Sequence, residues 1–159
     1  RLANTAAFRP PFSRRRSQGH ACRRTARRPG WRSRRLPRWE CSPGACAGRF
    51  HDARAAPRFR GEVEPLDPVA GHIPGALNRP FTENIGADGK FKPAEVLKVE
   101  FTKLLAGRDP ATVVHHCGSG VSAVPNVLAM QIAGLGATAL FAGSWSEWVS
   151  DPSRPVAQG

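Results

Sequence analysis

Residues 112–125 read Thr-Val-Val-His-His-Cys-Gly-Ser-Gly-Val-Ser-Ala-Val-Pro, and this stretch decides the fold. Its β-branched start predicts a strand over residues 111–116, and the Gly-Ser-Gly triplet predicts a tight loop that begins at Cys117. Apolar residues then recur at helical spacing, which predicts a helix from about Val121 to Ala133. A strand, a tight loop and a helix in this order are typical of a parallel sheet that is covered by helices.

The flanking sequence continues the alternation of strands and helices. Residues 93–105 predict an amphipathic helix with one apolar stripe. The stripe consists of Val96, Leu97, Phe101, Leu104 and Leu105. Residues 137–141 predict a strand, and Ser144-Trp-Ser-Glu147 is typical of a capping box that opens a short final helix. Pro125 is tolerated only in a first turn, so its helix is expected to begin near Ser122. The whole pattern predicts an α/β fold, a parallel β-sheet with helices on both faces.

Positive charge is confined to one part of the chain. The 159 residues carry 24 Lys and Arg against 12 Asp and Glu, but residues 1–50 hold fourteen Arg, no Lys and a single acid. Residues 51–159 hold ten basic and eleven acidic residues and are therefore nearly neutral. We predict a disordered Arg-rich segment over 1–50 and a folded domain over 51–159, which is long enough to bury a core.

Three interpretations of residues 1–50 stay open. Many Arg without Lys, and no Met at position 1, are what an out-of-frame reading of a G+C-rich gene or a fragment boundary yields, and we favour this interpretation. The second is a disordered linker. The third is a basic arm on which Trp31 and Trp39 stack against bases. Such an arm binds nucleic acid non-specifically and releases it as salt rises, so we expect no other nucleic-acid partner.

Composition also excludes several kinds of protein. No run approaches the roughly 18 apolar residues that cross a bilayer, and the first residues lack the apolar core of a signal peptide. We therefore expect neither a membrane span nor secretion. Cys22, Cys41 and Cys46 have neither zinc-finger nor disulfide-framework spacing, so we expect no metal site. Cys117 is then the one Cys within the predicted domain.

Cys117 is the candidate nucleophile. Functional loops of a parallel sheet lie at the carboxyl ends of its strands, which is where Cys117 falls. The N–H groups of residues 118–122 and the positive end of the following helix favour a thiolate over a thiol at this point. The alternative is a small buried side chain that fills the core. Because Gly118 and Gly120 allow the backbone to curl around the sulfur, we favour the nucleophile.

Five motifs follow one another in the chain. They are Asp52-Ala53-Arg54, Arg58-Phe59-Arg60-Gly61, Gly71-His72-Ile73-Pro74-Gly75-Ala76, Cys117-Gly118-Ser119-Gly120-Val121 and Gly143-Ser144-Trp145-Ser146-Glu147-Trp148. In this order they resemble the rhodanese superfamily, and within it the catalytic carboxyl-terminal domain of sulfurtransferases that use 3-mercaptopyruvate or thiosulfate. The resemblance spans about residues 51–159, whereas residues 1–50 share nothing with it.

The resemblance implies a chemistry for the site. Cys117 would attack the sulfur of a small-molecule donor, become a persulfide and pass that sulfur to cyanide or a thiol acceptor. Ser119 would hydrogen-bond the substrate or relay a proton. The residues implied in substrate binding are Arg58, through its guanidinium, and Gly118, Gly120, Val121 and Ser122, through their backbone N–H groups. For Arg58 a surface charge is the alternative. No cofactor is implied, and a persulfide needs a reducing compartment, so we expect a cytoplasmic location.

The loop after Cys117 also bears on the donor. Superfamily members that use thiosulfate typically carry Arg and Lys there, which match a dianion, whereas Gly118 and Ser119 are neutral. We therefore expect 3-mercaptopyruvate to be favoured and thiosulfate to be weaker. A phosphatase of the same fold needs Cys-x5-Arg, but Ala123 stands six places after Cys117, so a phosphoryl group would lack its clamp.

Three features depart from the family. No counterpart is found for the first module of its tandem members, and no second substrate-binding Arg follows Arg58, where residues 62–67 read Glu-Val-Glu-Pro-Leu-Asp. Gly48-Arg-Phe-His51 is a poor β run, so we expect one strand of the sheet to be lost. These departures leave a second hypothesis, a non-catalytic rhodanese-like module that carries sulfur or binds a partner, truncated from a two-domain enzyme.

Overall fold

A four-stranded parallel sheet forms the centre of residues 49–159, the part of the chain that the computed structural model describes. The strands are β1 (Phe50–Asp52), β2 (Leu77–Asn78), β3 (Val114–His116) and β4 (Ala139–Leu140), in the spatial order β2-β1-β3-β4. Every neighbouring pair runs parallel, and His51 of β1 lies opposite His115 of β3. The predictions for Cys22, Cys41, Cys46, Trp31 and Trp39, and for disorder in the Arg-rich segment, lie outside the described residues.

Helices cover both faces of this sheet, as predicted. They are α1 (Ala56–Arg60), α2 (Ala94–Leu105), α3 (Val124–Ile132) and α4 (Ser144–Val149), with short 3₁₀ turns at Phe81–Asn84 and Pro110–Thr112. Side chains alternate along a strand. On one face His115 reaches the Sδ of Met130 in α3 at 3.2 Å, and on the other the Phe50 ring lies 6.1 Å from that of Trp148 in α4. Within residues 49–159 no helix is long and apolar enough to cross a membrane.

Helix α2 supplies much of the apolar core. Ala94 to Leu105 contains neither Gly nor Pro, and the helix ends where Ala106 and Gly107 adopt positive φ. The predicted helix is confirmed. Its buried stripe packs against Val113, which directly precedes β3, and against α3. The cluster consists of Leu97, Phe101, Leu105, Val113, Ala129, Met130 and Ala133. Val96, which is predicted to lie on the same stripe, is instead 42% exposed. Each large buried side chain contributes about 1.5–3 kcal/mol.

Strand β1 is present, so the expectation that a strand would be lost is wrong. Phe50–Asp52 lies in the middle of the sheet and pairs with both β2 and β3. Phe50 is 1% exposed, and its ring meets those of Phe141 and Trp148 edge to face. Strand propensity depends on how side chains pack, so a weak local signal is overridden once an aromatic ring fills the core.

The first turns of two elements differ from the sequence pattern. Strand β3 begins only at Val114, because residues 110–112 form a 3₁₀ turn whose Ala111 N–H is capped by the Asp109 carboxylate at 2.9 Å. Helix α3 begins at Val124, two residues later than expected. Pro125 therefore lies in its first turn, where the missing N–H leaves no helical bond unmade.

Two buried imidazoles make the fold sensitive to acid. Burial, followed by repulsion from His51 and His116, lowers the pKa of His115 to about 3, and burial likewise lowers the pKa of His116. An unfolded imidazole takes up a proton near pH 6.5, so acid favours the unfolded chain until the folded group also titrates. The stabilising contribution is thus complete above about pH 6.5 and is lost as the pH falls towards 3.

We expect the free energy of unfolding to fall by about 2 kcal/mol from His115 alone between about pH 7.5 and pH 5. Urea titrations at the two pH values measure this loss. In the variant His115→Leu, the unfolding free energy should change less between the same two pH values, because about one proton fewer is taken up on unfolding. Equal pH dependence in parent and variant would contradict the assignment.

Candidate active site

Cys117 follows β3 directly and stands at the carboxyl end of a central strand. Its side chain is 2% exposed. The Sγ accepts the backbone N–H of Gly120 at 3.1 Å, because residues 117–123 curl back before α3 begins. A peptide N–H that points at sulfur stabilises negative charge on it. The structure therefore places this thiol where a thiolate has a fixed donor.

Gly120 is the residue that makes this turn possible. Its φ is +87°, and a Cβ at this position would lie 2.3 Å from the backbone oxygen of Ala142. Both the backbone angle and the close approach require glycine. The loop can bring its N–H onto the sulfur only with glycine here.

Gly120→Ala is expected to destabilise the domain more than the same substitution at another glycine with nearly the same φ. The matched control is Gly136→Ala, since Gly136 has a φ of +86° and no atom within 4 Å of a Cβ. The control carries only the cost of positive φ, about 1–2 kcal/mol, whereas Gly120→Ala adds a steric clash worth about 1–3 kcal/mol. Denaturant titrations compare the two, and equal losses would contradict the close contact.

The first turn of α4 holds the loop from the other side. The N–H of Cys117 donates to Ser144 Oγ at 3.1 Å, and that hydroxyl donates to the carbonyl of Phe141 at 2.9 Å. The N–H groups of Trp145 and Ser146 donate to the carbonyls of Cys117 and Gly118, each at 3.0 Å. The predicted capping box is wrong: the helix is capped by Gly143, and no side chain caps it. The Ser144 hydroxyl is used on the cysteine loop instead.

A cleft of about 310 Å³ opens in front of this loop. Its lining includes five residues that the sequence assigned to the site, namely Arg58, Cys117, Gly118, Ser119 and Ser122. Val121 is 73% exposed and lies outside the lining. Asp67, Ser146 and Arg54 also line the cleft, although no site role is predicted for them from the sequence. A cleft of this size accommodates a small organic acid.

A buried ion-pair network supports one wall of the cleft. Arg54 binds the carboxylate of Asp52 through Nε at 3.0–3.1 Å and Nη2 at 2.7 Å, and both residues are at most 4% exposed. Its Nη1 reaches Glu64 at 3.1 Å, and its Nη2 reaches the carbonyl of Gly71 at 2.7 Å. The guanidinium also lies 4.6 Å from the ring centre of Trp145. The positive charge of Arg54 is therefore balanced by the buried carboxylates of Asp52 and Glu64.

Arg58 extends the same network into the cleft. Its Nη2 lies 2.5 Å from Glu64 and 3.6 Å from Asp67, and its side chain is 19% exposed. Burial alone would raise the pKa of Glu64, but hydrogen bonds from Arg58 and from the N–H groups of Leu66 and Asp67 outweigh it, so the pKa lies below its usual value. A Cβ on Gly118 would lie 3.5 Å from the Arg58 nitrogens, so this guanidinium lies beside the cysteine loop.

The sequence model of the family described as "Rhodanese-like domain" matches residues 43–151, a range that includes the cysteine loop and both arginines of the network. The chain belongs to this family. The parallel four-stranded sheet with helices on both faces is therefore a rhodanese-like fold.

Curated relatives bear sulfurtransferase names. A Pseudomonas aeruginosa protein with a 3-mercaptopyruvate sulfurtransferase name is 59% identical over 108 residues, which are 68% of this chain and 38% of that protein. A Mycobacterium tuberculosis protein with a thiosulfate sulfurtransferase name is 48% identical over 117 residues, 73% of this chain and 40% of that one. The chain thus spans about two fifths of the length of these relatives.

A solved structure agrees with the fold. The 3-mercaptopyruvate sulfurtransferase from Leishmania major superimposes with a TM-score of 0.55 and 35% identity. The match covers 65% of this chain and 30% of that one. The rhodanese-like domain therefore corresponds to one part of a longer protein in each of these comparisons.

His72, although prominent in the rhodanese-like motif, has a structural role here. Its Nδ1 lies 2.8 Å from the carbonyl of Phe59, and its ring stacks on that of Phe59 at 3.9 Å. Its backbone pairs with Ala157 in an antiparallel bridge. The side chain is 7% exposed and does not line the cleft, so it fixes a turn.

Proposed function

We propose that this rhodanese-like domain transfers sulfur from 3-mercaptopyruvate, through a persulfide on Cys117, to cyanide or a thiol. The observation that carries the proposal is the Sγ of Cys117 on the cleft wall with the Gly120 N–H directed at it at 3.1 Å. The names of the relatives support sulfur transfer as the reaction class. A purely structural cysteine would need neither the cleft nor the donor.

The proposed reaction proceeds in two displacements. The Cys117 thiolate attacks the donor sulfur, an S–S bond forms and the C–S bond of 3-mercaptopyruvate breaks. The electron pair of that bond goes to carbon, which takes up the proton that the donor thiol carried, so pyruvate leaves and a persulfide anion remains. Cyanide then attacks the outer sulfur, the S–S bond breaks, thiocyanate leaves and the Cys117 thiolate is restored.

The loop supports the anion on the outer sulfur in this proposal. That atom would extend from Cys117 into the cleft, towards the N–H groups of residues 118–122. Backbone donors that are fixed before the reaction stabilise charge without reorganisation. Ser119 and Ser122 line the same cleft, and their hydroxyls are proposed to bind the substrate or relay its proton.

Arg58 is proposed to receive the donor carboxylate. A guanidinium offers paired donors that fit the two oxygens of a carboxylate. Arg58 lines the cleft together with Cys117, and its nitrogens lie beside Gly118. A donor that combines a carboxylate with a thiol three atoms away is therefore favoured over an inorganic one.

A single-turnover experiment tests the proposal. The full chain is mixed with 3-mercaptopyruvate without an acceptor, and pyruvate is measured. We expect a burst of one pyruvate per protein molecule, followed by thiocyanate release once cyanide is added. Absence of the burst, with the protein shown to be folded, would favour a non-catalytic module instead.

A further inference from the structure

Asp67 lines the cleft, and only one of its two carboxylate oxygens accepts a hydrogen bond from a side chain. Its side chain is 9% exposed and lines the cleft beside Arg58 and Cys117. Oδ1 accepts the hydroxyl of Ser146 at 2.7 Å. Oδ2 is buried and, among residues 49–159, has no hydrogen bond, since the Nη2 of Arg58 stays 3.6 Å away. A buried carboxylate oxygen without a donor is uncommon, because burial removes its water.

The ion pairs around the cleft leave no positive charge unbalanced. Arg54 and Arg58 are the two cations of the network, and Asp52, Glu64 and Asp67 are its three anions. The donors of Arg54 are directed at Asp52, Glu64 and the Gly71 carbonyl. Arg58 lies between Glu64 and Asp67. An anion that enters beside Arg58 thus meets a hydrogen-bond donor whose charge is already neutralised.

We propose that Asp67 is a specificity-determining residue that admits donors with one negative charge and disfavours dianions. The inference rests on the proposed function. Repulsion between Asp67 and a donor scales with the charge of the donor, so removing Asp67 relieves a dianion twice as much as a monoanion. The residue therefore acts on the choice between thiosulfate and 3-mercaptopyruvate rather than on sulfur transfer itself.

The carboxylate is held in position and cannot simply turn away from an incoming anion. The Ser146 hydroxyl that binds Oδ1 also lies 2.9 Å from the carbonyl of Gly118 in the cysteine loop. The backbone N–H of Asp67 reaches Glu64 at 3.3 Å. Fixed charges of this kind exert their full effect on a bound ion, because they do not relax when it arrives.

Asp67→Asn tests the inference, since it removes the charge and keeps an oxygen for Ser146. We measure kcat/KM for both donors and expect the ratio of thiosulfate to 3-mercaptopyruvate to rise about tenfold. Asp67→Glu keeps the charge and should keep the parent ratio within about twofold.

The control is Glu95→Gln, which removes one negative charge from α2, away from the cleft lining, and should leave the ratio unchanged. Thermal unfolding checks that each variant folds, and Asp67→Ser replaces Asp67→Asn if the latter does not. An active parent whose ratio is unmoved by loss of the charge, or moved equally by Asp67→Glu, would overturn the inference alone. A folded parent that uses neither donor would overturn the proposed function and this inference together.

Discussion

Cys117→Ser is expected to abolish sulfur transfer, with a loss of at least about a thousandfold in rate. A serine hydroxyl is not ionised near neutral pH and forms no persulfide, so the first displacement has no nucleophile. The fold should be retained, because the smaller oxygen can still accept the Gly120 N–H that now binds sulfur. Mass spectrometry after addition of 3-mercaptopyruvate provides the direct measurement: the parent gains one sulfur atom and the variant gains none.

The other cysteines of the chain supply the control. Cys22, Cys41 and Cys46 are replaced together by serine, and this variant should keep both the gain of sulfur and the thiocyanate release of the parent. If sulfur were instead recovered on Cys117→Ser but lost from the triple variant, the nucleophile would lie outside the described residues and the proposed mechanism would be wrong.

Arg54→Ala is expected to cost about 3–5 kcal/mol of unfolding free energy, the largest stability effect among our predictions. The substitution leaves Asp52, a buried carboxylate, without the guanidinium that binds both its oxygens. Glu64 and the Gly71 carbonyl lose a donor as well. Denaturant titration of parent and variant at neutral pH measures the loss.

An exposed ion pair with the same spacing is the matched control. Arg60 binds Glu62 at 2.6 Å, but the two side chains are 44% and 53% exposed. Arg60→Ala should leave the unfolding free energy essentially unchanged, since water replaces the lost contacts. A double-mutant cycle with Asp52→Ala and Arg54→Ala should give a double variant less destabilised than the sum of the single ones. Simple additivity would show that the two charges do not depend on each other.

The sequence predicts those parts of the fold that local rules determine. The strand, loop and helix around Cys117 follow from β-branched residues, closely spaced glycines and the position of Pro125, all of which act within a few residues. The buried stripe of α2 follows from helical spacing, apart from Val96. Even here the boundaries moved by two or three residues, because turns and caps compete with the regular elements.

The features that the sequence could not predict are contacts between segments that meet only in the folded chain. Strand β1 looks weak until Phe50 is placed among the rings of Phe141 and Trp148. Ser144 fits a capping pattern, yet its hydroxyl binds the Cys117 N–H. Asp67 and Ser146 are 79 positions apart and have no shared motif, so only the structure places both on the cleft. Tertiary contacts of this kind leave no local signal.

The wall of the cleft depends on contacts between residues that are far apart in the sequence. The segment that carries Arg58 and His72 is fastened by the bridge from His72 to Ala157 and by a hydrogen bond from the Gly159 N–H to the Arg60 carbonyl at 3.1 Å. Contacts of such high sequence separation form slowly, because a long loop must close first. On refolding, the parallel strands, which pair over shorter separations, can therefore meet before the cleft acquires its final shape.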